Sequence, residues 1–204
     1  MAQAASNGRP AKKARQEDDV VSRLEELDRL QNELERFNDE VAAEILMVER
    51  RYNALRQPVY AERQQVIKGI PRFWSLAFQS HEELRTVLDP VDLQILDHLS
   101  EVRIVEQEDI KSGYTIKMLF GKNPFFENTE LAKEFQFSDE GDLRVVSTDI
   151  TWSDPSFPTT NPSSFFVLFF DQDSQLESVA DVIRENLWTD PLRSYMSLDT
   201  TAAD

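Results

Sequence analysis

Apolar residues recur in steps of seven along residues 17–68. Leu27, Leu34, Val41, Val48 and Leu55 hold one position of the repeat, and Leu24, Ile45, Tyr52, Val59 and Val66 hold another. That is the spacing of a coiled-coil seam. The second row turns polar at Gln31 and Asn38, and each gap follows an apolar residue, Leu30 and Phe37, that widens the stripe. Charged residues such as Glu25, Arg29, Glu33, Arg36, Glu40 and Arg50 fill the other faces. At about 1.5 Å per residue such a run spans roughly 75 Å. A periodic stretch well beyond about 25 residues points to a coiled coil rather than to a surface helix of a single domain. Leu24, Leu27, Leu34, Val41, Ile45, Val48, Tyr52, Leu55 and Val59 are therefore the expected dimer interface. Pro58 removes one helical hydrogen bond, and because the heptads resume in register at Val59 and Val66, a bend is expected there rather than an end.

After this rod the period changes twice. Gly69 is a candidate cap, and Pro71 is placed to start a new helix whose apolar face is Phe73, Trp74, Ala77 and Phe78. Asp89-Pro90 repeats the start signal ahead of Leu93, Ile95, Leu96 and Leu99. Beyond Ser100 the pattern alternates. Val102 and Ile104 flank Arg103, and Tyr114, Ile116, Met118 and Phe120 form one face of a second strand. Phe135 and Phe137 alternate with polar neighbours, and the turn at residues 139–142 leads into a further strand from Leu143. About four strands joined mostly by short turns predict an antiparallel sheet. Residues 153–164, with three prolines, read as a surface loop. The run from Phe165 to Phe170 is ambiguous between buried strand and buried helix by periodicity alone. Val179, Val182, Ile183 and Leu187 mark a last helix, followed by a polar end. The expected architecture is α+β: a long N-terminal dimerisation helix, then a domain whose antiparallel sheet is covered by helices. The segments are residues 1–16, a disordered basic arm; 17–69, the long helix; 70–196, the acidic domain; and 197–204, a flexible end.

Charge sharpens this picture. Residues 1–69 carry 12 Lys/Arg and 13 Asp/Glu, and residues 70–204 carry 10 against 25, so the nets of −1 and −15 account for the total of −16. A field of that sign repels nucleic acid and attracts cationic partners. Sequence-specific nucleic-acid recognition is accordingly not expected. No apolar run is long enough to cross a membrane. Cysteine is absent, which removes disulfides, thiolate nucleophiles and Cys-based metal sites together and fits an intracellular location. Lys12, Lys13 and Arg15 read either as a nuclear localisation signal or as a solvated basic tail.

No catalytic constellation is found. His81 and His98 lie outside any H-E-x-x-H arrangement, and the five glycines make neither a phosphate-cradling loop nor a dinucleotide fingerprint. Asp171-Gln172-Asp173-Ser174 begins like a calcium loop but lacks the glycine at the sixth position and the glutamate at the twelfth. Neither metal nor cofactor is expected, and a binding protein fits better than an enzyme. Glu106, Glu108, Asp109, Asp139, Glu140, Asp142, Asp149 and Asp154, each separately a solvated turn or strand residue, together form the candidate anionic face for a basic protein.

Several segments in order resemble one family. The stretch Glu44-Ile45-Leu46-Met47-Val48-Glu49-Arg50-Arg51-Tyr52, continuing to Pro58, resembles the end of the dimerisation helix of nucleosome assembly proteins. Ile70-Pro71-Arg72-Phe73-Trp74, Asp109-Ile110-Lys111-Ser112-Gly113-Tyr114, Asn123-Pro124-Phe125-Phe126-Glu127-Asn128, Ser164-Phe165-Phe166 and Asp190-Pro191-Leu192 resemble the SET, or template-activating factor, branch. The resemblance implies a homodimeric histone chaperone in which two long helices pair antiparallel and each subunit carries an α+β "earmuff", a headphone-shaped dimer. Its acidic undersides would bind core histones and shield them from DNA during nucleosome assembly and disassembly. It also implies a nuclear protein, shuttling with the cytoplasm, that masks histone tails from acetylation. A helical Phe165 segment and a kinked but continuous helix at Pro58 follow from the same likeness. The eight acidic residues above are the expected histone contacts.

Two departures stand out. Family members usually end in a long acidic tail, whereas this sequence stops shortly after Tyr195, so either a shortened chain or the loss of tail-dependent activities is expected. The loop at 153–164 carries no Lys or Arg where relatives often have a basic insertion, which speaks against direct DNA contact through it. The alternative functional reading is an inhibitor of protein phosphatase 2A, or an acidic coiled-coil adaptor, acting through protein–protein contacts alone.

Overall fold

The computed structural model describes residues 9–107, 112–138, 142–171 and 176–197, with backbone only at 9–18 and 177. The chain forms two compact units, Met1–Asn53 and Ala54–Asp204.

A single helix, α1 (Arg9–Lys68), begins ahead of Glu17, so residues 9–16, expected in the arm, are helical in backbone. In the first unit its outer faces carry i,i+4 ion pairs, Arg23–Asp19 at 3.1 Å and Arg29–Glu33 at 3.6 Å. All are exposed, so each stabilises the helix by no more than about 0.5 kcal/mol. Its seam is uncovered: Leu24 and Leu27 are 58% and 61% exposed, Val41 and Ile45 56% and 57%.

The second unit begins with the end of α1, which runs through Pro58 without a break to Lys68. There the helix tightens: the Gly69 and Ile70 amides donate to Val66 and Ile67 carbonyls at 3.0 and 2.9 Å. Helix α2 (Phe73–Ser80) starts two residues later than Pro71 suggested, because Arg72 takes a left-handed conformation, φ +57°. Its guanidinium Nε donates to Asp97 Oδ1 at 2.8 Å, which fixes the turn. A 3-10 turn (Leu84–Val87) leads to α3 (Pro90–Leu96), which has the expected Asp89 cap and first-turn proline.

The sheet is a meander in the order β1 (Leu99–Glu106), β2 (Gly113–Phe120), β3 (Glu130–Phe137) and β4 (Leu143–Ser147), antiparallel throughout. Ile104, Ile116, Lys133 and Ser147 lie in one cross-strand row on the face covered by helices. Gly113 is required where β2 begins: at φ +131°, an added Cβ would lie 1.8 Å from the Phe135 carbonyl oxygen. The Phe run is helical, α5 (Phe165–Phe169); Phe165, Phe166, Phe169 and Phe170 are buried while Leu168 is 42% exposed, a spacing only a helix gives. The expected loop at 153–164 holds a short helix, α4 (Phe157–Thr160), because Phe157 buries itself by stacking on Trp152 at 4.2 Å. Helix α6 (Glu177–Asp181) passes into a π-helical turn (Val182–Leu187), and the polar end contains one more helix, α7 (Pro191–Met196), anchored by Tyr195 stacked on Phe73 at 4.8 Å.

Two buried charged groups tie these layers together. Asp92, fully buried, accepts from the amides of Asp89 and Phe165, both at 2.8 Å, and from the Ser164 hydroxyl at 2.5 Å, so a residue of α3 caps α5. Lys133, also fully buried, donates to the Phe169 and Asp171 carbonyls at 2.7 and 3.1 Å and to Ser147 Oγ at 3.3 Å.

Candidate functional site

In a four-stranded meander the β1–β2 and β3–β4 turns open at one end of the sheet, while the β2–β3 connection and the chain leaving β4 lie at the other. Glu106 and Asp142 therefore share one end, and Asp149 and Asp154 belong to the opposite end, where Phe126 bridges Trp152. Glu108, Asp109, Asp139 and Glu140 lie outside the described residues.

The four described candidates differ in how far their charge is already engaged. Glu106 is half-buried, and Arg184 donates to its Oε1 at 3.2 Å. The same guanidinium lies 4.2 Å over the Tyr114 ring, and the Tyr114 hydroxyl donates to Asp181 Oδ1 at 3.2 Å. Burial, and then the Asp181 carboxylate, raise the Tyr114 pKa above the usual tyrosine value. Glu106 thus joins β1 to the C-terminal helices. Asp154 is fully exposed, but its Oδ1 accepts from the Ser156 hydroxyl at 2.7 Å and its amide at 2.9 Å, holding the turn before α4 and lowering the carboxyl's pKa. Asp142 and Asp149 are exposed, with carboxylates that meet no partner among the described residues.

On the face of the sheet away from the core the acids are matched internally. Glu101 accepts from Arg103 Nε at 2.9 Å and lies 3.6 Å from Lys68, Lys117 donates to Glu130 at 2.8 Å, and Glu134 accepts from Gln107 at 2.8 Å and Gln136 at 2.9 Å. The free negative charge of the unit sits instead on its periphery and includes Asp142, Asp149, Glu82, Glu83, Glu127 and Glu185, none of which is ion-paired among the described residues. The last four were missed by the turn-centred reading of the sequence; the Glu82-Glu83 pair after His81 was the available signal. No group of three His, Asp or Glu side chains is gathered for a metal among the described residues.

A helix with an uncovered heptad seam, leading into a helix-backed antiparallel meander whose free charge is anionic, is a specific combination. The family model for nucleosome assembly protein (NAP) matches residues 67–163. "NAP1-related protein 2" of Arabidopsis thaliana is 35% identical over 206 residues, covering 91% of this chain and 80% of that protein. The chain belongs to the nucleosome assembly protein family, in its SET branch. "Protein SET" of Drosophila melanogaster is 34% identical, covering 96% of this chain and 81% of its own, and human "Protein SETSIP" is 36% identical, covering 96% and 72%. Among solved structures, nucleosome assembly protein S of Plasmodium falciparum superposes with a TM-score of 0.74 at 27% identity, over 84% of this chain and 99% of that one. Nucleosome Assembly Protein 1 from Plasmodium knowlesi gives a TM-score of 0.78 at 23% identity, over 88% and 97%, a likeness of fold. NAP proteins are histone chaperones and not enzymes.

Proposed function

We propose that the protein is a homodimeric chaperone of the nucleus that binds core histones through its peripheral carboxylates and shields them from DNA during nucleosome assembly and disassembly. The observation that carries this reading is the pairing, in one chain of the NAP family, of an uncovered seam with a net charge of −15 confined to residues 70–204. Covering the seam calls for a second copy, because the repeat is self-complementary and runs the length of the helix. No covalent step is involved: a chaperone competes with DNA for a cationic surface, and its affinity falls as salt screens exposed charges over about 10 Å at 0.1 M.

Light scattering gives twice the 23.6 kDa chain mass on this reading. Purified core histones form a complex at low salt that weakens steadily as salt is added. A particle of single-chain mass removes the dimer, and no histone complex even at low salt removes the chaperone function.

A further inference from the structure

A cleft of about 680 Å³ lies within the C-terminal unit, between the end of α2 and the last two helical segments. His81 and Glu83 stand on one wall; Glu185 and Asn186 of the π-helical turn and Ser194 of α7 stand on the other. The walls are fastened together where the Ser197 hydroxyl donates to the Ser80 carbonyl at 3.2 Å.

Two polar groups of the lining are unmatched. His81 Nδ1 is buried without a partner. Ser194 is only 8% exposed, and although its carbonyl accepts from Ser197 Oγ at 2.7 Å, its hydroxyl has no partner among the described residues. Buried polar atoms are nearly always hydrogen-bonded, and leaving one unpaired costs about 1–3 kcal/mol. A hydroxyl can donate or accept, so Ser194 can meet either an amide or a carbonyl of an extended backbone. At the rim, Glu83 and Glu185 have no ion-pair partner among the described residues, and the unpaired Arg193 supplies donors for carbonyls. The π-helical turn, a rare geometry concentrated at functional sites, carries Glu185 into this wall.

We infer that this cleft docks an extended peptide segment of a partner protein, its backbone held by Ser194 and Arg193 and a lysine or arginine side chain held by Glu83 and Glu185. The domain's charge of −15 makes a cationic segment the complementary one. The proposal rests on the chaperone reading only for the basic character of the partner, and its surface is distinct from Asp142 and Asp149.

The test uses the intact protein and a fluorescein-labelled dodecapeptide of alternating Lys and Ala, with Gln replacing Lys in a control peptide, followed by anisotropy at low salt. Neutralising two partly solvated carboxylates in E83Q/E185Q weakens binding by about 5- to 10-fold, whereas D142N/D149N changes it less than about twofold. The His81 imidazole resonances shift on adding the Lys peptide to the parent protein and stay still in E83Q/E185Q, with an unchanged melting temperature showing that the variant is folded. Equal affinity of E83Q/E185Q and parent, or His81 resonances that ignore the peptide, overturns the assignment. Core-histone complex formation, measured beside it, is the separate arm: its absence in the parent removes the chaperone reading, and its persistence beside a silent cleft removes the cleft alone.

Discussion

Replacing Asp92 separates two ways in which a buried carboxylate can hold a fold. Its Oδ2 accepts from the amides of Asp89 and Phe165 and its Oδ1 from the Ser164 hydroxyl, all within 2.8 Å and out of contact with solvent. Asp92→Ala leaves three donors unmet, the Ser164 hydroxyl and Phe165 amide buried and the Asp89 amide part-buried. At about 1–3 kcal/mol for each orphaned group, less what an entering water recovers, the loss is about 3–5 kcal/mol. Asp92→Asn behaves differently. Its side-chain oxygen can take the Oδ2 place and keep both amide bonds, while its NH2 donates to a Ser164 hydroxyl that rotates to accept. Only the extra strength of bonds to a charged acceptor is lost, about 1 kcal/mol. For a unit the size of Ala54–Asp204, a melting temperature moves about 2–4 °C per kcal/mol. The alanine variant is expected to melt about 8–15 °C lower than the parent and the asparagine variant about 3 °C lower, read by differential scanning calorimetry. Equal shifts in the two variants would refute the argument from orphaned donors, as would an alanine variant as stable as the parent.

Other outcomes follow from the same geometry. In V41D/I45D, with about half of each side chain left to cover, losing about 1 kcal/mol at each of four positions in a two-fold dimer raises its dissociation constant about a thousandfold; sedimentation velocity at micromolar concentration reads this as monomer. Lys133→Met keeps the stem but abandons the Phe169 and Asp171 carbonyls, costing about 2–4 kcal/mol in denaturant unfolding. Because Tyr114 has a raised folded-state pKa, its contribution to stability is complete below the ordinary value of about 10 and lost as pH rises through the folded one. Tyr114→Phe therefore flattens the alkaline limb of the pH–stability curve. Asp154 has the opposite sign: its lowered pKa gives a contribution present above about pH 4 and lost as pH falls through the folded value, so the protection of the Ser156 amide against exchange, taken relative to its intrinsic rate at each pH, falls in acid for the parent but not for Asp154→Ala.

Much of the fold was legible because side-chain period reports directly on which face is wet. The heptads of α1, the alternation from Tyr114 to Phe120 and the Asp89-Pro90 start signal each rest on local rules, and each element stands where the rule puts it. What escaped was set by contacts distant in sequence. Pro71 could not open α2 because Arg72 is held left-handed by Asp97, and Phe157 turned a loop into a helix by finding Trp152. The candidate site was legible in its sign and less so in its members. Composition reveals total charge, but whether a carboxylate is free depends on neighbours such as Arg184 beside Glu106, 78 residues away in sequence. Lys133, an unremarkable surface residue by type, lies at the centre of the core because carbonyls at the end of α5 and just beyond it surround its ammonium.

The bare seam of α1 also governs how a newly made copy matures. A helix whose apolar stripe faces water draws most of its stability from what it packs against rather than from its own hydrogen bonds, so in the proposed homodimer folding of the N-terminal unit and meeting another copy are one event. Expression level then sets the share of chains that are finished, and unmated ones are the natural prey of proteases. In that proposed dimer, two variants made in the same cell would assemble together, and a copy altered only in its acidic domain would draw intact copies into mixed particles.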